Sequence, residues 1–151
     1  MKNEFIISII DGQGGGIGKQ IIEKLSKSFS ADSHITLRAL GTNALATNAM
    51  LKAGANDGAT GENAIVVNAK KSDIIVGVMP IVMPNSILGE VSPAMAEAIG
   101  SSDAVKVLIP LQRCNTIITM TSLGTLNQYI DTADSIIQEQ VLLWKKTQNL
   151  L

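Results

Sequence analysis

The sequence predicts a three-layer α/β domain with a mainly parallel sheet of about five strands. Three observations carry this expectation. Short apolar runs alternate with segments of helical periodicity, the pattern of βαβ units. The first run, at 5–10, is rich in isoleucine and almost unbroken, as strands buried on both faces are. The chain has 151 residues, 46% apolar and 17% charged, enough to build a packed core and too apolar to remain disordered.

Residues 5–10 (Phe5-Ile6-Ile7-Ser8-Ile9-Ile10) form the first predicted strand. Glycines at 12–16 end it. Ile17, Ile21, Ile22, Leu25 and Phe29 then recur at three- to five-residue steps, which predicts a helix with one apolar face. A second strand is expected over 34–40, ending at Gly41. An Ala/Leu/Met-rich helix follows over 43–53, closed by Gly54. Residues 54–61 (Gly-Ala-Asn-Asp-Gly-Ala-Thr-Gly) carry turn chemistry and are expected to be a loop. In 62–71, Ile65-Val66-Val67 favours a strand, but Glu62, Asn63 and Lys70-Lys71 fit a short helix, which is the reading adopted. The third strand is expected at 72–78. An irregular apolar segment with Pro80 and Pro84 covers 79–90. Ser92-Pro93 opens a helix through Ile99, with proline in its first turn. Residues 105–109 and 116–120 are expected as the fourth and fifth strands. Leu126, Ile130, Ala133, Ile137, Val141 and Trp144 make the core-facing stripe of a long last helix.

Composition excludes several functions. With 12 Lys+Arg against 13 Asp+Glu, the chain lacks the basic field that nucleic acid or an anionic membrane requires. Aromatics at 3% argue against a base-stacking surface. A single cysteine, Cys114, excludes a disulfide framework and a thiolate-rich metal site, and no metal-ligand set is assigned. The apolar run at 5–10 is too short for a signal-peptide core. The longest uncharged stretch, 74–89, is broken by two prolines and falls short of the ~20 residues of a membrane span. A cytoplasmic protein is therefore expected.

The functional argument starts at Asp11-Gly12-Gln13-Gly14-Gly15-Gly16-Ile17-Gly18-Lys19, where five of the 13 glycines fall within seven residues. This run lies between a buried strand and an amphipathic helix, the place of a phosphate-binding turn. Glycines allow φ > 0, close approach of a ligand to the backbone, and close packing of helix on sheet. Phosphate then sits on free N–H groups at the positive end of the helix. Gly-x-Gly-x-x-Gly fails at Ile17, whereas Gly-x-Gly-x-x-x-Gly fits Gly12, Gly14 and Gly18. Gly-x-x-x-Gly-x-Gly fits Gly12, Gly16 and Gly18, which resembles the short-chain dehydrogenase turn. The catalytic Tyr-x-x-x-Lys of that family is absent, since Ala133 stands four residues after Tyr129. Walker A fails at Gln13 and Gln20. Asp11 is read first as an Asx-type anchor of the turn, with a Mg²⁺ contact or general base as the sharper alternatives. Lys19 is placed on the solvent side of its helix.

A dinucleotide site of Rossmann type would place an acidic residue at the end of the second strand. Here that place reads Leu40-Gly41-Thr42-Asn43, with no carboxylate. Thr42 and Asn43 are candidates for the sugar or a phosphate, Thr42 also for a helix cap. Gly41-Thr42-Asn43 also looks like the nucleotide-binding half of the tubulin/FtsZ type. Gly77-Val78-Met79-Pro80 stands where that family's second glycine signature should fall, so GTP hydrolysis is not supported. Arg113 is a further phosphate candidate; a surface arginine beside a packed Cys114 is the plainer alternative. His34 is read as structural. Residues 79–88 are candidates for a lid or for a homo-oligomer contact, against the alternative of a buried loop.

Several stretches together resemble the small bacterial proteins grouped as domain of unknown function 3842. They are Asp-Gly-Gln-Gly-Gly-Gly-Ile-Gly at 11–18, Ala-Leu-Gly-Thr-Asn-Ala-Leu-Ala-Thr at 39–47, Gly-Ala-Asn-Asp-Gly-Ala-Thr-Gly-Glu-Asn at 54–63, Asp-Ile-Ile-Val-Gly at 73–77 and Ile-Pro-Leu-x-Arg-Cys-Asn at 109–115. The resemblance spans nearly the whole chain. It implies a Rossmann-like domain and names no substrate.

The sequence thus leads to one Rossmann-like nucleotide-binding domain over residues 1–151. Gly12, Gly14, Gly15, Gly16 and Gly18 would cradle the phosphates of a small ligand, NAD(P) or another nucleotide, with Thr42 and Asn43 near the sugar and Asp11, Gln13 and Arg113 as further binding candidates. No acid/base pair or nucleophile constellation stands out. Two other readings stay open: a Mg²⁺-dependent enzyme acting on a small phosphorylated substrate, and a structural oligomerising module without a ligand.

Overall fold

The structure, a computed structural model, describes residues 2–111, 115–119 and 124–151. It is an α/β fold with one five-stranded parallel sheet between two helical layers. The strands are β1 (Phe5–Asp11), β2 (Ile35–Gly41), β3 (Asp57–Thr60), β4 (Ile74–Val78) and β5 (Val105–Ile109). Their order in the sheet is β3-β2-β1-β4-β5, and every neighbouring pair is parallel. The helices are α1 (Gly16–Ser28), α2 (Ala44–Lys52), α3 (Glu62–Ala69), α4 (Pro93–Ser101) and α5 (Leu126–Gln148).

Alternation along the central strand builds the two cores. Every residue of β1 is buried. Phe5, Ile7 and Ile9 point to one face, where Ile21, Ile22 and Leu25 of α1, Met50 of α2 and Ile130, Ile137 and Val141 of α5 cover them. Ile10 points to the other, with Leu40 and Ile75, under Ile65 and Ala69 of α3 and Met95, Ala96 and Ile99 of α4. The stripe expected on the last helix is therefore core. Trp144 closes it against Phe5, the ring centroids 5.1 Å apart. That helix starts with a capping box, in which Thr125 accepts from the Gln128 N–H and the Gln128 side chain accepts from Thr125.

Two strand expectations are corrected. The loop expected at 54–61 contains β3. Its register on β2 sets Arg38 opposite Asp57, Ala39 opposite Gly58 and Leu40 opposite Ala59. Arg38 grips Asp57 with two bonds, Nε to Oδ1 at 2.8 Å and Nη2 to Oδ2 at 2.7 Å. The Leu37 N–H donates to the Asn56 side chain at 2.8 Å. Cross-strand pairing of this kind has no signature in a four-residue Asp-Gly-Ala-Thr segment, whose residues individually favour turns. Conversely, residues 116–119 are not in a strand, and Met120 lies outside the described residues. Their β-branched composition suits a strand, but β propensity is a weak, context-dependent signal that tertiary surroundings override. The helix reading of 62–71 holds, as α3. Among the described residues no helix is long and apolar enough to cross a membrane.

Candidate functional site

The carboxyl ends of the strands carry the candidate residues. Between β1 and β4 the chain order reverses, because β1 has β2 on one side and β4 on the other. Ligands of open parallel sheets bind at such a switch point. Here it opens into a cleft of about 520 Å³, walled by the turn at 11–16 and α1 on one side and by Val78, Pro80, Ile87, Leu88 and Leu111 on the other.

The five glycines of the turn do different work. Gly15 caps α1 at φ +72°, and a Cβ there would lie 2.7 Å from the Ala46 Cα of α2. Gly18 lets α1 cross β1 closely, since a Cβ would meet Met50 Sδ at 2.6 Å and Asp11 Cβ at 2.8 Å. A Cβ on Gly12 would stand 2.6 Å from a carboxylate oxygen of Glu90. Gly14 and Gly16, by contrast, have open space where a side chain would be, and both line the cleft. The Gly15 N–H closes the turn on the Gly12 carbonyl at 2.9 Å. The Gly14 and Gly16 N–H groups have no partner among the described residues.

Asp11 is 7% exposed and turns its carboxylate into the turn. Oδ1 accepts from the Gly12 N–H at 2.8 Å and Oδ2 from the Gly18 N–H at 2.6 Å. This matches the anchoring role read from its position. Burial raises its pKa above the ordinary 3.8, against the bonds from Gly18 and Gly12, and the charge of Glu90 adds to the rise.

Thr42 and Asn43 lie beside the turn, at the end of β2. Asn43, not Thr42, caps α2, accepting from the Ala46 N–H at 2.9 Å. Its amide also donates to the Gln13 carbonyl at 3.0 Å. The Thr42 hydroxyl is engaged elsewhere, by Glu90. One oxygen of that residue, Oε2, accepts from the Thr42 hydroxyl at 2.5 Å, the Gln13 N–H at 2.8 Å and the Asn43 amide at 3.1 Å.

Sequence reasoning missed Glu90. It is the sole acidic residue between Asp73 and Glu97, which is the one signal that could have marked it. It reaches the turn because the segment after β4 folds back. Two short 3₁₀ turns at Met79–Val82 and Ile87–Gly89 are joined by residues 83–86, and Asn85, Ile87, Leu88 and Gly89 all have positive φ. The buried Ser86 hydroxyl donates to the Pro80 carbonyl at 2.5 Å, and the Asn85 N–H to the Val91 carbonyl at 2.7 Å. Left-handed Ile87 is costly for a β-branched side chain, so these bonds hold the strap in place. Ile87 and Leu88 line the cleft, with Leu88 almost fully exposed.

The bonds from Thr42, Gln13 and Asn43 hold the Glu90 carboxyl below its ordinary pKa of 4.5. A carboxyl with a lowered folded-state pKa contributes stability above its unfolded value and loses it as pH falls through the folded one. Glu90→Gln is therefore expected to destabilise the protein at pH 7 and to lose that effect progressively below pH 4.5. Denaturant melts of both proteins across that range check it.

Arg113 and Cys114 are outside the described residues. Arg38 is committed to Asp57, with a further bond to Asn68 at 3.2 Å. Lys19 is exposed and reaches toward Glu23, 3.8 Å away. His34 lies at the amino end of β2, its ring nitrogen 3.1 Å from the Asn3 carbonyl. The Tyr129 hydroxyl accepts from the Gly124 N–H at 2.7 Å, at the start of α5. Among the described residues no Lys or Arg lines the cleft. An anion bound there would rely on backbone dipoles.

No curated protein and no solved structure matches the chain. The family model for DUF3842, a domain of unknown function, matches residues 6–142. That span takes in all of the sheet but Phe5, the glycine turn, the strap and most of α5, so the chain belongs to the DUF3842 family.

Proposed function

We propose that this protein binds a nucleotide, with its phosphates on the turn at Gly14–Gly16 and the rest of it extending from there into the cleft over β1 and β4 and toward the corner where β2 ends. The observation that carries the reading is the pair of unpartnered N–H groups at Gly14 and Gly16, at the amino end of α1 and on the wall of the cleft. Such groups, with the helix dipole behind them, suit an anion without any lysine or arginine. Asp11 leaves room for this charge because both of its oxygens already take backbone N–H groups. That commitment also favours the plain binding role over the reading in which Asp11 holds Mg²⁺.

A thermal-shift panel of NAD⁺, NADP⁺, FAD, ATP and GTP, each with and without Mg²⁺, tests the proposal. A nucleotide at ~100 times its dissociation constant stabilises by about 2.7 kcal/mol, a rise on the order of 5–10 °C at this size. Gly16→Asp is the decisive variant. The site has room for the side chain, and an acidic group suits the first turn of a helix, so the variant should fold and lose the shift. If no nucleotide shifts the wild-type protein, or if Gly16→Asp binds as well as wild type, the proposal fails. A shift that needs Mg²⁺ and disappears in Asp11→Asn supports the metal-dependent reading instead.

A further inference from the structure

We propose that Glu90, carried in by the strap after β4, supplies the ribose-reading carboxylate that the end of β2 lacks, so that the site takes nucleotides with a free 2′-hydroxyl and rejects 2′-phosphorylated ones. The inference rests on the nucleotide reading above and names the sugar that the ligand must carry.

In dinucleotide sites of this strand order, an acidic side chain at the end of β2 accepts the ribose hydroxyls next to the glycine turn. This chain has Gly41-Thr42-Asn43 there. Glu90, 48 residues from Thr42 in sequence, brings its carboxylate to the same corner, bonded to Thr42 at the strand end and to Gln13 in the turn. The way it is held suits the task. Oε2 takes all three donors, while Oε1 has no partner among the described residues. One oxygen is fixed and the other is left to accept a hydroxyl. The strap spends four residues at positive φ within five positions, Asn85 to Gly89, to deliver this side chain. Such strain persists where the surrounding structure enforces it, and it gathers at ligand-binding positions. A carboxylate there accepts a diol and repels a 2′-phosphate. An arginine in that corner would do the reverse.

Calorimetric titration of the full chain with NAD⁺ and with NADP⁺ tests this. Wild type should favour NAD⁺ at least tenfold. Glu90→Gln should bring the two affinities within about threefold, mainly by weakening NAD⁺. Thr42→Val, which removes one of the bonds that position Glu90, should shrink the preference part of the way. A circular-dichroism melt of each variant confirms that it is folded. Equal affinities in wild type, or a preference that Glu90→Gln leaves unchanged, overturns the inference. If Gly16→Asp still abolishes both titrations in that case, the phosphate turn stands and only the role of Glu90 falls. Tighter binding of both nucleotides by Glu90→Gln also overturns it, because Glu90 would then be an occupant that ligands displace. Absence of binding by either nucleotide to wild type overturns the inference, and the reading beneath it falls as well only if FAD, ATP and GTP also fail to shift the protein.

Discussion

Gly15→Val is expected to cost on the order of 4 kcal/mol, whereas Gly16→Ala, one residue away, should be neutral or slightly stabilising. At position 15 two penalties combine. The residue sits at φ +72°, where a β-branched side chain pays roughly 1–3 kcal/mol. Its Cβ would also stand 2.7 Å from the Ala46 Cα, and a backbone atom cannot swing aside, so overpacking adds roughly 1–3 kcal/mol more. At about 2–4 °C per kcal/mol for a chain of this length, the melting temperature should fall by roughly 10 °C. Gly16 lies inside the first turn of α1 with open space around it, and a Gly→Ala change at a compatible site gains about 0.4–1 kcal/mol. Thermal melts of the two variants check the contrast. Equal losses at both positions would show that the turn is not held against α2 as described.

Asp11→Ala should lower stability by about 2 kcal/mol at pH 7. Removing the carboxylate leaves the Gly12 and Gly18 N–H groups without their acceptor in a buried corner, at about 1–3 kcal/mol for each buried group left unsatisfied. Relief of a desolvated charge offsets part of this. The pH dependence identifies the cause. The folded-state pKa of Asp11 lies above the ordinary 3.8, so its contribution is greatest below 3.8 and declines as pH rises through the raised value. The gap between wild type and Asp11→Ala should therefore widen in acid, while the gap for Glu90→Gln narrows. Denaturant melts at pH 3, 5 and 7 on both variants measure the two slopes. Slopes of the same sign would contradict the assigned environments.

Much of the fold was legible because buried parallel strands leave continuous apolar runs. Phe5 to Ile10 is such a run, and the stripe from Leu126 to Trp144 shows the period of a one-faced helix. β3 was hidden because Arg38, Asp57 and Asn56 hold it through long-range pairing, and its own residues look like a turn. Residues 116–119 misled in the opposite direction, since their β-branched composition favours a strand and the fold does not place them in one. In the site, Asp11 and the glycines were legible because their place between strand and helix dictates their chemistry. Which glycines merely pack and which face the cleft depends on Ala46, Met50 and Thr42, brought near by the fold. Glu90 was illegible for the same reason. Nothing local to 85–91 says that this carboxylate meets residues 13, 42 and 43.

The central claim is that the Gly14 and Gly16 amides receive the ligand's phosphate. Amide chemical shifts measured during a nucleotide titration of isotope-labelled protein test it most directly. The account predicts that the Gly14 and Gly16 resonances move most and that those of Leu25 and Ile137, buried in the core away from the turn, stay in place. Saturable binding that leaves Gly14 and Gly16 unmoved would contradict it.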